Sequence, residues 1–196
     1  MAQEETQKIT DLEALKVFTH PLRVKLYRAL HASGPATASH LADQVDEAVS
    51  LVSYHLRKMA VHHFIVEVLD DNSDGRERWW KVSTERRLTF RNSDFADRPE
   101  GVAVLNDVTR TLLDERGERY RAWLEHQTAW PQEWSEASFH SDHQLRLTAA
   151  ELTQMDEDLG ELLQRWEERG RRADRAGDTE GREHVAVHLY GFPFRP

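Results

Sequence analysis

The chain has 196 residues, of which 31% are charged, with a formal net charge of -9 and no cysteine. A chain of this length can bury roughly 70% of its unfolded surface and so fold without covalent staples. The lack of cysteine excludes disulfides, thiolate metal sites and thiol catalysis, and fits a reducing compartment. The polar, acidic stretch from Met1 to Lys8 has no apolar signal core, and no apolar run is long enough to span a bilayer. The expectation is a soluble, cytoplasmic protein with no membrane partner. The charge is unevenly spread. Residues 1–92 carry 13 basic and 13 acidic side chains, and residues 93–196 carry 13 and 22. All five lysines lie at or before Lys81. The two parts therefore read as different modules, a 1–92 domain and a 93–196 domain, and only the first can present a local basic face.

Taken in chain order, Thr10-Asp11-Leu12-Glu13 has the spacing of a capping box, with Thr10 as the cap of a short helix to about Phe18. Pro21 suits the first position of a second helix, whose apolar stripe is Leu22, Leu26, Ala29 and Leu30 and which Gly34-Pro35 ends. A third helix runs from about Ala38 to Val45, capped by Thr37, with Leu41, Ala42 and Val45 inward. After the turn Asp46-Glu47-Ala48 comes a fourth, from about Val49 to His62, burying Val52, Leu56 and Met59. Its other positions, Ser50, Ser53, Tyr54, Arg57 and Lys58, are polar and of donor type.

The period then changes to two. Phe64, Val66 and Val68 alternate with Ile65, Glu67 and Leu69, the turn Asp70 to Gly75 follows, and Arg78 to Val82 reads as the returning strand. Four helices and a β-hairpin outline a winged helix. The groove-facing side of a reading helix needs short donors for phosphates and bases plus a few cations, and the fourth helix supplies that set. Arg76, Arg78 and Lys81 on the hairpin suit the neighbouring backbone or minor groove.

Three segments carry a resemblance to the ArsR-type winged-helix regulators. His20-Pro21-Leu22-Arg23, followed by Leu26 and Ala29-Leu30, is similar to that family's second-helix pattern. Ser50-Leu51-Val52-Ser53-Tyr54-His55-Leu56-Arg57 resembles its recognition-helix signature. Gly75-Arg76-Glu77-Arg78-Trp79-Trp80 resembles its wing. Order and spacing agree over residues 11–83. The resemblance implies a transcriptional regulator that binds double-stranded DNA as a homodimer, with Thr37, Ser50, Ser53, Tyr54, His55, Arg57, Lys58, Arg76 and Arg78 as the DNA-contact set. His55 is usually structural in such proteins. Asp46 stands where many helix-turn-helix units have glycine, and His63 where the family often has glycine after the recognition helix.

Residues 91–99 read as a linker ending in proline. A long helix follows from about Glu100 to His126, interrupted in its stripe near Gly117; its Val104, Val108 and Leu112 would form a two-fold interface with the first helix. Trp130 to Ser135 reads as an ordered loop. Ser138-Phe139-His140 and Leu145-Arg146-Leu147 would be two hairpin strands. Thr148 to Glu151 is another capping box, opening a helix with the stripe Leu152, Met155, Leu159, Leu162, Leu163 and Trp166. Arg169 to Arg182 reads as a loop, and Val185, Val187 and Leu189 as a last strand. The fold class expected is α+β: an N-terminal winged helix-turn-helix, a long linking and dimerisation helix, and a small C-terminal α+β domain.

The remaining chemistry is sparse. His62 and His63 point apart on a helix, and His184 and His188 on one strand would stand roughly 13 Å apart. Only His140, Asp142 and His143 could converge across a hairpin; histidines that simply hydrogen-bond account for the pattern, and no metal and no cofactor is expected. No G-x-S-x-G elbow, phosphate loop or H-E-x-x-H helix is present, so no enzyme is expected. Of six tryptophans, Trp79 and Trp80 belong to the wing strand. Trp123, Trp130, Trp134 and Trp166, with Phe139, are either core or an aromatic pocket for a small-molecule effector. A second class of function is also open, a winged-helix protein-protein interaction module that reads no DNA. The cations Arg57, Lys58, Arg76 and Arg78 favour the DNA reading, since a protein-binding face would be more apolar.

Overall fold

The computed structural model describes residues 8–68, 78–84 and 88–195. The chain divides into two compact units, Met1–Gln127 and Thr128–Pro196. The first holds α1 (Leu12–Lys16), a 3₁₀ turn (Val17–Thr19), α2 (Pro21–Ser33), β1 (Ala36–Thr37), α3 (Ala38–Val45), α4 (Val49–Val61), β2 (Ile65–Val68), β3 (Trp79–Val82), a 3₁₀ turn (Asn92–Phe95) and α5 (Pro99–His126). The strands form one sheet in the order β1-β3-β2, all neighbours antiparallel. In its register Glu67 faces Trp80 and Val68 faces Trp79.

Local chemistry accounts for the helix ends. Asp11, not Thr10, caps α1, its carboxylate accepting from the Ala14 N–H at 2.7 Å. A carboxylate one residue further along reaches the free amides of the first turn better than the hydroxyl does. Pro21 opens α2, where His20 Nδ1 accepts from the Leu22 N–H at 3.2 Å. Thr37 caps α3 through the His40 N–H. Asp46 and His63 both take the left-handed conformation, with φ of 53° and 59°, where glycine would be unstrained. The two positions flagged by the absence of glycine are thus the two non-glycine residues with positive φ among those described.

The core of this unit is continuous. Phe18 sits at its centre, edge-on to Phe64 (ring centroids 4.6 Å apart) and Tyr27 (5.4 Å). Leu15, Leu26, Leu30, Leu41, Val52, Leu56, Met59 and Ile65 close around it. Three contributors were not anticipated. Ile9 is fully buried, its N–H bonded to Thr89 O. The two-residue β1 pairs with β3. The segment read as a linker contains the 3₁₀ turn that buries Phe95. Gly101 is required there, because a Cβ would stand 2.4 Å from Phe95 O.

The long helix α5 runs unbroken through Gly117, and it belongs to this unit. Leu105, Val108 and Leu112 enter the core, and Arg28 on α2 forms a largely buried ion pair with Glu115. Two expectations change in consequence. The structural division falls after α5 and not at residue 92. Val108 and Leu112 face their own chain, so they cannot also form a two-fold interface; sequence periodicity identifies an apolar stripe but not which surface covers it.

The second unit contains a 3₁₀ turn (Gln127–Ala129, straddling the boundary), α6 (Gln132–Ala137) and α7 (Ala149–Ala176). Trp130 to Ser135 thus leads into a short helix instead of an ordered loop. The capping box at Thr148 and Glu151 forms with both of its bonds. The charged segment read as a loop from Arg169 continues α7 for two turns to Gly177, whose left-handed φ of 71° ends it. The charges themselves support those turns, since Glu168 accepts from Arg171, Arg172 and Arg175 one to two turns on.

The expected strands around Phe139, Leu145 and Val187 do not form: residues 138–147 and 183–195 carry no ladder. Alternating apolar residues make a strand only where another backbone is available to pair with, and Phe139, Val185 and Leu189 are all exposed. The C-terminal segment instead places Gly191 against Leu152. The α+β class rests on the sheet of the first unit, and the described part of the second is helix and irregular chain.

Candidate nucleic-acid interface

The site is built on α4. Three consecutive turns of its inner side, Val52, Leu56 and Met59, are fully buried, which fixes the rotation of the helix about its axis. The outer side then presents Ser50, Tyr54, Arg57 and Lys58 to solvent, with Ser53 half-buried between them. Arg57 folds back, its Nε donating to Ser53 O at 3.1 Å. Lys58 Nζ lies 5.8 Å from the centre of the Tyr54 ring, within cation–π range.

The hairpin stands beside this face. Trp80 is buried and anchors β3, while Lys81, next along the strand, points to solvent. Arg78, at the start of β3, is exposed and pairs loosely with Glu67 at 3.6 Å. Two open grooves, of about 540 and 360 Å³, run between α4 and the hairpin, and Arg57, Arg78 and Trp80 line both. Cations from two separate elements therefore converge on one concave surface. Ser39, at the start of α3, lines the smaller groove. It escaped sequence reading because nothing in its neighbours distinguishes it from an ordinary first-turn serine.

Not every expected contact lies on that surface. His55 is buried, with its ring 4.3 Å from that of His20 and 5.1 Å from that of Tyr54. Burial pushes the His55 ring down to about 4, and the charges of His20 and Arg23 push the same way, so at neutral pH it is an uncharged packing element. His20 is lowered too, first by burial and then by Arg23, with Glu47 opposing. Thr37 is buried and its hydroxyl is occupied as the α3 cap. His55 thus packs on the inner side of α4, and Thr37 fixes the start of α3. Arg76 lies outside the described residues, as does the turn from Asp70 to Gly75.

Residues 18–68 match the family model of a helix-turn-helix domain. The match spans the turn from α3 into α4 and about a quarter of the chain. No curated protein matches the chain. A helix-turn-helix domain is the reading unit of DNA-binding regulators, in which one helix braces the second against the major groove. Here α3 is the brace and α4 the helix it presents.

The aromatic residues of the pocket expectation fall in both units. Trp123 belongs to the first unit, stacked on Tyr120 at 5.7 Å. In the second unit Trp130 packs edge-on to Trp134, Trp166 is 60% exposed under Arg169, and Phe139 is 78% exposed. Among the described residues no group of three or more His, Asp or Glu is arranged to hold a metal ion, and no helix is long and apolar enough to cross a membrane.

Proposed function

We propose that the chain is a sequence-specific transcriptional regulator of the ArsR type, acting as a homodimer on an inverted-repeat operator. The observation that carries this reading is the convergence of Arg57 from α4 and Arg78 from the hairpin on one groove beside an exposed row of hydroxyl donors. Ser50, Ser53 and Tyr54 take backbone phosphates, Arg57 swings off Ser53 O to read a base edge, and Lys58 and Arg78 hold flanking phosphates. Arg57 is well suited to exchange, since its bond to a helix carbonyl is one that guanine O6 and N7 can replace.

A homodimer requires a self-complementary patch. Val102, Leu113, Tyr120 and Leu124 are the exposed large apolar residues of α5. Their spacing of eleven, seven and four puts them within about 40° of one another on a helix of 3.6 residues per turn. This seam lies to one side of the buried Leu105, Val108 and Leu112, and it supports pairing of α5 with its copy. Trp166 and Phe139, two of the aromatic side chains exposed in the second unit, are the surface on which a small-molecule effector would be sought.

The test is a mobility-shift titration on duplexes selected from a genomic fragment pool. Arg57→Ala should cost about 1–3 kcal/mol on the selected site and little on random DNA. Arg78→Ala should weaken both alike and flatten the salt dependence. Unchanged affinity in both variants would remove α4 and the hairpin as the reading surface. Sedimentation of the wild type as a monomer at micromolar concentration would remove the two-fold part.

A further inference from the structure

Where α2 begins, beside α4, a half-buried guanidinium lacks an anion. Arg23, on the first turn of α2, has its Nε buried with no hydrogen-bond acceptor. Among the described residues no ion pair reaches it. Its charge acts on His20 at the start of α2 and on His55 in the middle of α4, whose rings stand 4.3 Å apart, so the guanidinium sits where the two helices meet. Burial disfavours its charged form. Glu47, the carboxylate of this corner, acts on His20. The α2 amides are already used: Pro21 has none, Leu22 donates to His20 Nδ1, and Arg23 and Val24 donate to His20 O. A ligand here would be held by side chains, not by the helix end.

We propose that Arg23 is a phosphate clamp, taking one phosphodiester of the duplex backbone beside α4, with Tyr54 and Lys58 completing the grip. This rests on the DNA-binding reading and extends it from α4 and the hairpin to α2. An unpaired, half-desolvated guanidinium is costly to keep unless something supplies the missing anion. Its planar fork matches two phosphate oxygens. The exposed Tyr54 ring, with Lys58 beside it, makes the site continuous with the reading face. Together with Arg78 on the hairpin, Arg23 would add a second backbone contact beside the base-reading Arg57.

The experiment measures affinity against salt concentration for the full chain and for R23Q, on the selected operator and on random duplex, with methylphosphonates substituted one phosphate at a time. Folding of each variant is checked by thermal melting, and Arg23→Met, which keeps the aliphatic stem, replaces R23Q if the amide disturbs packing. The expected result is an equal loss on both duplexes of about 5- to 20-fold at low salt, and a salt slope reduced by about one. One methylphosphonate position should weaken the wild type and leave the variant unaffected. Free inorganic phosphate at millimolar concentration should not reproduce the effect, because it lacks the duplex that brings the oxygen to α2. An unchanged slope, with every methylphosphonate acting equally on wild type and variant, overturns the clamp while the DNA-binding reading stands. No affinity of the wild type for any duplex overturns both.

Discussion

The two units reach secondary structure by the same local rules and differ in what covers it. In the first, the apolar sides of α1 to α5 meet one another and the sheet, and a dozen large side chains are fully enclosed. In the second, α7 has the best-formed ends in the chain, a complete capping box at Thr148 and a left-handed glycine at Gly177, yet Ala173 is the only buried residue among those described. Caps and i,i+4 charge pairs of a few tenths of a kcal/mol each define where a helix begins and stops. Enclosure of apolar area is the larger quantity, and a helix cannot supply it alone. Leu162 and Trp166 on α7 remain exposed, on a stripe as regular as that of α4.

The sharpest test of this contrast is to remove a large side chain from each unit. Phe18→Ala should cost about 3–5 kcal/mol, because it empties the space between Tyr27 and Phe64. Leu159→Ala should cost less than about 1 kcal/mol, since its site is already half open. Urea titration followed by fluorescence and circular dichroism measures both, and equal losses would show that α7 is enclosed in solution by something outside the single chain, a second copy being the first to examine.

Acid should separate the units next. The His55 ring is buried neutral, with a folded value of about 4 against an ordinary 6.5. Below pH 6.5 the unfolded chain takes up a proton that the folded chain refuses, so stability is complete above that pH and declines as pH falls toward 4, by on the order of 1–3 kcal/mol. In the second unit Glu168 is held at about 2 by hydrogen bonds from Arg172, Arg171 and Arg175. That carboxylate contributes above its ordinary 4.5 and loses the contribution only as pH falls from 4.5 toward 2. Melting followed between pH 7 and 3 should show the first unit weakening at higher pH than α7. Replacing His55 with Gln should reduce the decline between 6.5 and 4, leaving the part that belongs to His20, which burial lowers as well; an undiminished decline would assign it to other groups.

The smallest effect concerns backbone strain. His63 holds a left-handed φ of 59° after α4. His63→Gly should therefore leave the fold intact and alter stability by no more than about 1 kcal/mol, in the stabilising direction if strain relief exceeds the entropy glycine adds to the unfolded chain. A comparison of urea midpoints measures it, and a clear loss of stability would mean that the His63 side chain contributes packing.

Much of the first unit could be read from residue order. The proline at the start of α2, the Thr37 cap, the burial of Val52, Leu56 and Met59 and the exposure of Tyr54, Arg57 and Lys58 all follow from interactions within one turn or from the 3.6-residue period. These also determined the outer face of α4, because burial of one side leaves the other to solvent. His55 escaped that logic: its position in the Ser-x-His-Leu pattern is legible, but whether its ring turns to solvent or toward His20 depends on a contact between helices 35 residues apart in sequence.

What only the tertiary structure decided has the same cause throughout, namely that it depends on which surface lies opposite. A chain ending near Asp97 includes α1 to α4 and the sheet, yet it would strip Leu105, Val108 and Leu112 from the core and leave Arg28 without Glu115. The apolar period of α5 is plain in the sequence, but only packing shows that one side is spent on α1 and α2 while Val102, Leu113, Tyr120 and Leu124 stay exposed. Alternation at Val185, Val187 and Leu189 is equally plain, and it yields no strand because alternation alone supplies no ladder partner. The sequence by itself determined local periodicity and caps, since those are fixed by neighbours in the chain. Burial, pairing and the isolation of Arg23 were decided by contacts between distant segments, which no local pattern encodes.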